Sequence, residues 1–502
     1  MQFSWLSELY DHSYFRYVLI AIIIVWLYIR YITPLQYFKR LGVVTPPAYP
    51  VVGTILADTK QGISNVELQM IQVKKYGAVF GIYLGSRPSY MISDLEMIKQ
   101  IFIKDFSKCP NRAVFLNIPQ SELGIVNLKD DRWKHVRTVL NPTFTASKMR
   151  QMLPIMAESV DTLLKKMEKV ADNDQSIDIA EWLKLLTMEV IAASAFGTKC
   201  DAQSGANDRL MESASAVFHP HPLAIFCSFM IPSLARVFIG LNRSFTNGFN
   251  YLVKVIKGII DSRRQQGATE ANYKDLLQLM IDASANPDKR GLTDDEIVAQ
   301  SSTFMLAGYE TTSSTISFTA YLLATNPDIQ EKLREEIKDI CNDEQDITYE
   351  MIANMHYLDN VINESLRLYP PGFILLREAK VDFQCNGYTI PKDMPIFVPV
   401  YSIHRNPEIW PEPEKFDPDR FTKEAVEARH PCAFLPFGTG PRNCVGMRFA
   451  LMEIKLSIAK MMLRFKLVTS PDTEIPLQLR ADTTLAPKNG IRLRIQSVEK
   501  ES

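Results

Sequence analysis

The chain has 502 residues, 46% of them hydrophobic and 23% charged, which excludes a disordered, collagen-like or small disulfide-stapled protein. Its 56 basic and 57 acidic residues give a formal net charge of -1, so no overall charge attracts nucleic acid, and none is predicted as a partner. The seven cysteines are scattered and contain no Cys-x-x-Cys pair, so neither a disulfide framework nor a zinc site is predicted.

The first predicted element is an apolar helix near the N-terminus. Residues 14–32 are apolar except for Arg16 and Arg30, which lie near the two ends, where long cationic side chains reach lipid headgroups. Since about 20 apolar residues cross a bilayer, the run is long enough for one span. Acidic residues precede it, which argues against a cleaved signal peptide. We therefore predict a retained single-pass anchor over residues 1–33.

Charge and prolines characterise the segment after this run. Arg30, Lys39 and Arg40 follow the apolar centre and only one arginine precedes it, so the positive-inside rule places the remainder of the chain in the cytosol. The prolines of residues 34–52 predict an irregular, stiff linker. Residues 53–502 contain no repeat or low-complexity tract and are predicted to form one large domain.

Helical periodicity dominates this domain. The predicted helices cover residues 150–171, 178–196, 246–266, 293–325, 327–341, 355–368 and 446–464. Strand patterns are fewer and occur at residues 79–84, 88–92, 388–390, 395–400 and 491–495. The predicted fold is therefore mainly α with a minor β-sheet portion. Residues 222–235 are uncharged but too short to span a bilayer, which leaves both a buried helix and a second membrane contact open.

A glycine-rich loop, residues 437–446, delivers one cysteine to the start of an apolar helix. The partial positive charge and free N–H groups of a helix N-terminus favour a thiolate at Cys444 and lower its pKa. Gly440 permits a tight turn, Gly446 lets the backbone approach a flat ligand, and Arg442 offers a cation for a carboxylate. A planar cofactor with a metal and carboxylates fits these features. The alternative is that Cys444 is a small buried hydrophobe.

The sequence FGTGPRNCVG of this loop resembles the F-x-x-G-x-R-x-C-x-G haem loop of the cytochromes P-450. The resemblance extends over residues 45–498 and is closest to the microsomal, family-3-like drug- and steroid-oxidising enzymes and to thromboxane synthase. It implies the cytochrome P-450 fold, a haem-binding catalytic domain over residues 53–502, and haem b as cofactor. It also implies that Cys444 is the axial ligand of the haem iron and that Phe437, Gly440 and Gly446 belong to the cofactor-binding loop.

Two further motifs carry the resemblance on the cysteine side. Trp133 and Arg137 lie four residues apart on one predicted helical face, which alone indicates only an amphipathic helix. The resemblance implies that they hold the haem propionates together with Arg377 and Arg442. Likewise, a Glu-x-x-Arg pair on a helix is ordinarily a solvated ion pair. Here the resemblance implies a buried structural set formed by three residues: Glu364, Arg367 and Arg420.

Residues 307–312 (AGYETT) place a polar cluster in the predicted long helix. Gly308 lowers helix propensity, and a threonine hydroxyl can bond the carbonyl four residues earlier. A core helix that tolerates polar residues is the plain alternative. The resemblance implies that this helix crosses the haem and that Thr311 and Glu310 are catalytic residues that guide protons during oxygen activation.

The resemblance also implies the reaction and its partners. A cysteinate ligand favours O–O cleavage, and the chain carries no nicotinamide or flavin fingerprint. NADPH therefore acts only indirectly, through NADPH–cytochrome P-450 reductase, with cytochrome b5 as a second electron donor, at the endoplasmic reticulum membrane. Four cations lie near these motifs: Lys129, Arg132, Lys134 and Arg448. Either a contact surface for an acidic partner protein or an ordinary solvated face accounts for them.

Three functions remain open at this stage. The first is a monooxygenase that inserts one oxygen atom of O2 into lipophilic xenobiotics, steroids or lipids. The second is a haem-thiolate isomerase of lipid peroxides, like thromboxane synthase, which lacks the threonine at the position of Thr311. The third is a membrane-tethered haem sensor. Thr311 favours the monooxygenase. By position in the resemblance, the substrate pocket is predicted to contain Phe115, Leu123, Leu306, Ala307, Phe373, Ile374 and Leu485.

Overall fold

The structure is a computed structural model and describes residues 12–59, 63–114, 121–173, 175–205, 208–230, 234–265, 275–284, 291–342 and 346–498. In chain order its α-helices are α1 His12–Leu27, α2 Tyr37–Arg40, α3 Asn65–Tyr76, α4 Leu95–Lys99, α5 Asp130–Leu140, α6 Ala146–Glu168, α7 Ile179–Phe196, α8 Asp208–Phe218, α9 Pro222–Met230, α10 Ala235–Leu241, α11 Arg243–Gln265, α12 Leu276–Ser284, α13 Asp294–Thr325, α14 Pro327–Cys341, α15 Tyr349–Asn354, α16 His356–Leu368, α17 Val400–Ile403, α18 Lys423–Glu427 and α19 Met447–Arg464.

The strands are short and form small sheets at the edge of the helical body. They are β1 Val79–Leu84, β2 Arg87–Ile92, β3 Ile177–Asp178, β4 Leu375–Glu378, β5 Phe383–Cys385, β6 Tyr388–Ile390, β7 Pro395–Val398, β8 Phe465–Thr469, β9 Leu479–Ala481, β10 Leu485–Pro487 and β11 Arg492–Ser497. The largest sheet has the order β1-β2-β7-β4, in which only β2 and β7 are parallel. A second sheet has the order β3-β11-β8, and β5-β6 and β9-β10 are hairpins. The mainly-α prediction with a minor sheet is confirmed.

The long helix α13 runs through the main hydrophobic core. It begins with a capping box, in which the Thr293 side chain accepts the Glu296 backbone N–H and the Glu296 carboxylate accepts the Thr293 backbone N–H. It ends just before Pro327, which cannot continue a helix. At Gly308 it approaches α7 so closely that an added Cβ would lie 3.0 Å from Ile191 Cδ1. The predicted helix over residues 293–325 is therefore present and central.

The N-terminal apolar helix continues further than the sequence predicted. Residues 34–52 were expected to form an irregular linker, but helical turns run on to Arg40, because Pro34 lies at the start of a 3-10 turn, where its missing N–H is not needed. Phe38 is then fully buried, with its ring 5.4 Å from that of Tyr83 and 5.0 Å from that of Tyr90. This segment is docked on the β1-β2-β7-β4 sheet.

In the described part of residues 222–235, the helix is not the buried one that the sequence left open. Helix α9 covers Pro222–Met230, and Leu223 at its start is 61% exposed. In the next helix, α10, Val237 and Leu241 are 55% and 72% exposed. Large apolar side chains therefore lie on the surface of this region.

Candidate active site

A cavity of about 460 Å³ lies between the start of α19 and the middle of α13. Its lining is mainly apolar, with Ile125, Phe304, Ala307 and Phe449 among the side chains that form it. Cys444 lies on one side, and its surface is accessible from within the cavity although the residue is deep in the protein. The structure thus brings the glycine-rich loop and the polar segment of the long helix to one site.

The loop before α19 is held by its own backbone. The Cys444 N–H donates to the Phe437 carbonyl at 2.9 Å, and the Asn443 N–H donates to the Gly440 carbonyl at 3.0 Å. Gly440 has φ +72°, and a Cβ there would collide with the carbonyl of Phe102, so only glycine fits this turn. Both Phe437 and Cys444 line the cavity.

The ionisation of Cys444 differs from the sequence prediction. Burial raises the pKa of its thiol, and this outweighs the Gly446 N–H that bonds the sulfur and the nearby guanidinium groups of Arg112 and Arg137. The helix start alone therefore does not produce a thiolate here. A bound metal ion would do so, because a coordinating thiol is deprotonated outright.

Four arginines line the same cavity: Arg112, Arg137, Arg377 and Arg442. None of them forms a salt bridge with a carboxylate of the described residues, and the Nε atoms of Arg377 and Arg442 are buried without a hydrogen-bond partner in that part of the chain. Burial, reinforced by the neighbouring guanidinium groups, lowers the pKa of Arg377 well below its ordinary value and that of Arg442 to about 9. Buried cations of this kind require anions from a ligand.

Packing and hydrogen bonds fix where these guanidinium groups lie. Arg442 stacks over Trp133 at 4.3 Å and donates to the Leu128 carbonyl at 2.5 Å. Arg377 stacks over Phe102 at 4.2 Å. Arg137 donates to the Asn443 carbonyl and side chain at 2.9 and 3.0 Å, which ties α5 to the cysteine loop.

Arg112 is the residue that sequence reasoning missed. It belongs to no recognisable spacing, and only the tertiary structure brings it to the cavity, where it donates to the Arg442 carbonyl at 3.2 Å. Together the four cations and the accessible sulfur fit haem b, whose two propionates and iron need such partners. Gly446 also fits, because it lines the cavity and a Cβ there would meet only Phe144, at 3.9 Å.

The opposite wall comes from α13. Thr311 lines the cavity with Ala307. Its hydroxyl donates to the Ala307 carbonyl at 2.7 Å, a bond that threonine often forms in a helix. Helix α13 continues through this position without a break. Glu310 is 1% exposed, and neither carboxylate oxygen has a hydrogen-bond partner among the described residues. Glu310 does not line this cavity. Thr311 and Glu310 therefore lie side by side on different faces of the helix.

The three residues of the predicted structural set lie together. The carboxylate of Glu364 pairs with Arg367 through two bonds of 2.7 Å, and both residues are fully buried. Arg420 approaches the same carboxylate at 3.4 Å. Burial raises the pKa of Glu364 despite these two cations. Arg367 also donates to the carbonyls of His404 and Pro413, so the set ties α16 to the segment before the cysteine loop.

Two of the four cations predicted as a partner footprint are engaged within the protein. Arg132 forms an ion pair with Glu296, which is 6% exposed, and Lys129 pairs with Glu378 at 2.6 Å. The described residues provide no ion pair for Lys134 or Arg448, which are exposed. Only these last two remain free for an external partner.

Most of the predicted substrate residues do not line the cavity. Ala307 does, whereas Leu306 is partly buried against the main core. Phe373, Ile374 and Leu485 belong to a separate apolar cluster, because the β9-β10 hairpin packs on α3 there. Leu123 is also outside the lining, although its carbonyl accepts from Gln300 of α13. Phe115 lies outside the described residues.

Comparison with known proteins gives the same assignment. Residues 44–494 match the family profile of cytochrome P450. The chain belongs to the cytochrome P450 family. Cytochrome P450 3A41 of Mus musculus is 38% identical over 490 residues, which are 95% of this chain and 96% of the relative. Cytochrome P450 3A28 of Bos taurus is 37% identical over 95% of each chain, and cytochrome P450 3A27 of Oncorhynchus mykiss is 37% identical over 96% of this chain and 94% of its own.

These findings confirm the resemblance to family-3-like cytochromes P-450. As a cytochrome P450, the chain is a haem-thiolate monooxygenase that uses haem b and receives its electrons from a reductase. The isomerase and sensor alternatives are not favoured. Among the described residues, one helix, Phe15–Arg40, is long and apolar enough to cross a membrane.

Proposed function

We propose that this cytochrome P450 oxidises lipophilic xenobiotics and steroids in the central cavity, with Cys444 as the axial ligand of the haem iron. The observation that carries the proposal is the cavity itself, in which an accessible cysteine sulfur meets four arginines without carboxylate partners among the described residues. When bound, the haem supplies the redox chemistry that activates O2, and a thiolate ligand favours O–O cleavage. Steroids and many foreign compounds match the apolar lining.

The residues of this chain have distinct parts in that reaction. The Gly446 N–H holds the sulfur of Cys444, while Arg442 and Arg377 bind and orient the propionates. Thr311 lines the opposite wall, where its hydroxyl would serve the reacting oxygen, and Glu310, on the adjacent face of α13, would pass protons towards it. The apolar lining excludes bulk water and so strengthens these polar interactions.

Features of the surface support the proposed partners and location. Lys134 and Arg448, the two exposed cations near the cysteine side, fit contacts with acidic redox partners, the reductase and cytochrome b5. We place residues 1–33 in the endoplasmic reticulum membrane as a single-pass anchor, with the catalytic domain, which includes the docked segment from Leu35 onwards, facing the cytosol. The exposed apolar side chains of α9 and α10 fit a second, peripheral contact with the same membrane.

The proposal is tested by a matched pair of cysteine variants. In the reduced, haem-loaded protein, Cys444→Ser removes the thiolate, so the carbon-monoxide difference spectrum is expected to lose its thiolate-type band. Cys227→Ser, at a half-buried position outside the cavity, is expected to keep that band and the NADPH- and reductase-dependent oxidation of a steroid. A thiolate-type band in Cys444→Ser would remove this residue as the ligand. Turnover of a lipid endoperoxide without reductant would favour the isomerase instead.

A further inference from the structure

A second cavity, of about 340 Å³, lies on the other face of the long helix. Three serines of α13 form one side of it: Ser313, Ser314 and Ser317. His219, just after α8, and residues of α7, β9 and the end of β10 form the rest. Two of its lining residues, Glu181 and Lys488, are exposed, whereas the three serines are buried. The cavity therefore runs from the surface to α13.

Glu310 belongs to the helix face that borders this second cavity. Residues three, four and seven positions apart share one face of an α-helix, so Glu310 lies one turn before Ser313 and Ser314 on the same side. The Ser313 hydroxyl donates to the Glu310 carbonyl at 3.1 Å. Thr311 lines the first cavity instead. Helix α13 thus separates the two cavities, with Glu310 and Thr311 adjacent in the wall between them.

His219 is held with one ring nitrogen free. Its Nδ1 lies 2.7 Å from the Ser215 carbonyl, which can only accept, so Nδ1 carries the proton and Nε2 is unprotonated in the neutral ring. Nε2 is buried and has no hydrogen-bond partner among the described residues, as is also true of both Glu310 carboxylate oxygens. A basic nitrogen and a carboxylate, both without partners, therefore face the same region of the protein.

The charges around His219 act on its ionisation in opposite directions. Burial, with Arg480 and Lys184, lowers the pKa of His219, while the Ser215 carbonyl and the Glu310 carboxylate raise it. The net direction is downward from the ordinary value of 6.5. The other charged groups facing the cavity are Asp178, Glu181 and Lys488.

The contents of the cavity follow from its chemistry. Lys184 pairs with Glu181 at 2.8 Å, Arg480 pairs with Asp482 at 3.4 Å, and Asp178 accepts two backbone N–H groups. Apart from the exposed Lys488, these charges are engaged within the protein, so the cavity is not built to bind an anion. Serine hydroxyls, an imidazole and an open mouth suit a group of ordered waters, each with several polar partners.

We propose that His219 is a proton-relay residue for oxygen activation, which takes protons from water in this second cavity and passes them to Glu310. In each transfer Nε2 accepts one proton from a cavity water, the imidazolium gives one proton to the Glu310 carboxylate directly or through a water, and bulk solvent replaces the proton. No electrons move in this step. His219 acts through Glu310, so the inference rests on the proposed roles of Glu310 and Thr311.

The first test reads the electrostatic interaction between His219 and Glu310 without turnover. The chain has seven histidines. In NMR spectra of carbon-13-labelled protein, the ring signal of His219 is therefore assigned as the one that is absent from His219→Gln. Glu310→Gln removes the carboxylate that raises the pKa of His219, and we expect that pKa to fall further. Arg480→Gln removes a repelling charge and should raise it. An unchanged His219 pKa in Glu310→Gln would overturn the proposal.

The second test reads how NADPH is used, with purified reductase and a steroid. We expect His219→Gln to cut product formation by about tenfold and to divert electrons to hydrogen peroxide. The effect is smaller than the loss of a direct general acid, because water can bypass the relay. In the wild type, the fraction of NADPH consumption that yields product should depend on pH, and this dependence should be lost in His219→Gln. His221→Gln is the matched control, since His221 is exposed and does not line the cavity.

The outcomes separate the relay from the function it serves. Uncoupling in Thr311→Ala but not in His219→Gln would overturn the relay and leave the monooxygenase mechanism intact. Uncoupling in both, with His221→Gln unchanged, supports the relay. Unchanged coupling in both would overturn the relay together with the proposed role of Thr311.

Discussion

At the scale of single residues, buried side chains without partners determine what the central cavity binds. The sequence identified Arg442, Arg377 and Arg137 through their motifs, but it gave no sign of Arg112. Each of these guanidinium groups is costly to bury without an anion. The cavity therefore suits a ligand with carboxylates, and Arg112 contributes as much positive charge as each of the three arginines that the motifs predicted.

We expect Arg112→Gln to weaken haem binding by about tenfold or more, since a hydrogen bond to a charged group contributes about 1.5–3 kcal/mol. The measurement is transfer of haem from each variant to an acceptor protein, followed by absorbance. Arg448→Gln removes an exposed cation close to the same loop and should leave the transfer unchanged. Equal haem retention in the two variants would show that Arg112 does not hold a propionate.

At the scale of elements, α19 combines the cysteine site with an unusual buried carboxyl. Glu453 is 1% exposed, and neither of its carboxylate oxygens has a partner in the part of the chain that the structure describes. Two turns further on, Lys460 is similarly buried but pairs with Asp161 at 2.6 Å. Burial raises the pKa of Glu453 well above its ordinary value of 4.5. The sequence alone predicted an apolar helix here.

We expect Glu453→Met, which keeps the side-chain size, to raise the free energy of unfolding by about 1–3 kcal/mol, the cost of an unsatisfied buried polar group. Because the folded-state pKa is raised, the wild type loses stability as pH rises from about 4.5 through that pKa. The difference in the free energy of unfolding between Glu453→Met and the wild type should therefore grow with pH over this range. Thermal unfolding of both proteins at several pH values measures it.

Lys460→Met is the control on the same helix. It leaves Asp161 without its cation and is expected to destabilise the protein. A Glu453→Met variant that is less stable than the wild type at every pH would mean that this carboxyl has a partner in the folded protein.

At the scale of the whole molecule, the N-terminal helix and the catalytic domain are connected more tightly than a spacer would require. The helix Phe15–Arg40 lies outside the core over its apolar stretch, yet its last turn buries Phe38 against the sheet. The Tyr83 hydroxyl adds a bond to the Leu35 carbonyl at 3.1 Å. The boundary of the folded domain therefore lies before Leu35.

Two truncations test this boundary. Removal of residues 1–32 should leave a folded domain that binds haem and, having lost its membrane-spanning helix, associates with membranes more weakly. Removal of residues 1–43 also deletes Phe38, and we expect a further loss of about 3–5 kcal/mol, the cost of deleting a buried phenylalanine. Thermal unfolding of the two proteins measures the difference, and equal stability would mean that the Phe38 contact contributes nothing.

The sequence by itself determined the long helices and the cysteine loop of this cytochrome P450. Apolar side chains at helical spacing predicted α13 and α16, because local backbone geometry sets that period. The loop of residues 437–446 was recognisable because each residue type has its own local role: glycine permits the tight turn, arginine offers a cation, and cysteine offers the sulfur.

Only the tertiary structure decided which distant residues meet. It brought Arg112 to the other arginines of the central cavity, buried Phe38 in a predicted linker, and left Glu310 outside the cavity that Thr311 lines. It also moved Phe373 and Leu485 into a separate cluster. These outcomes depend on burial and on contacts between residues far apart in the chain, which no local pattern encodes.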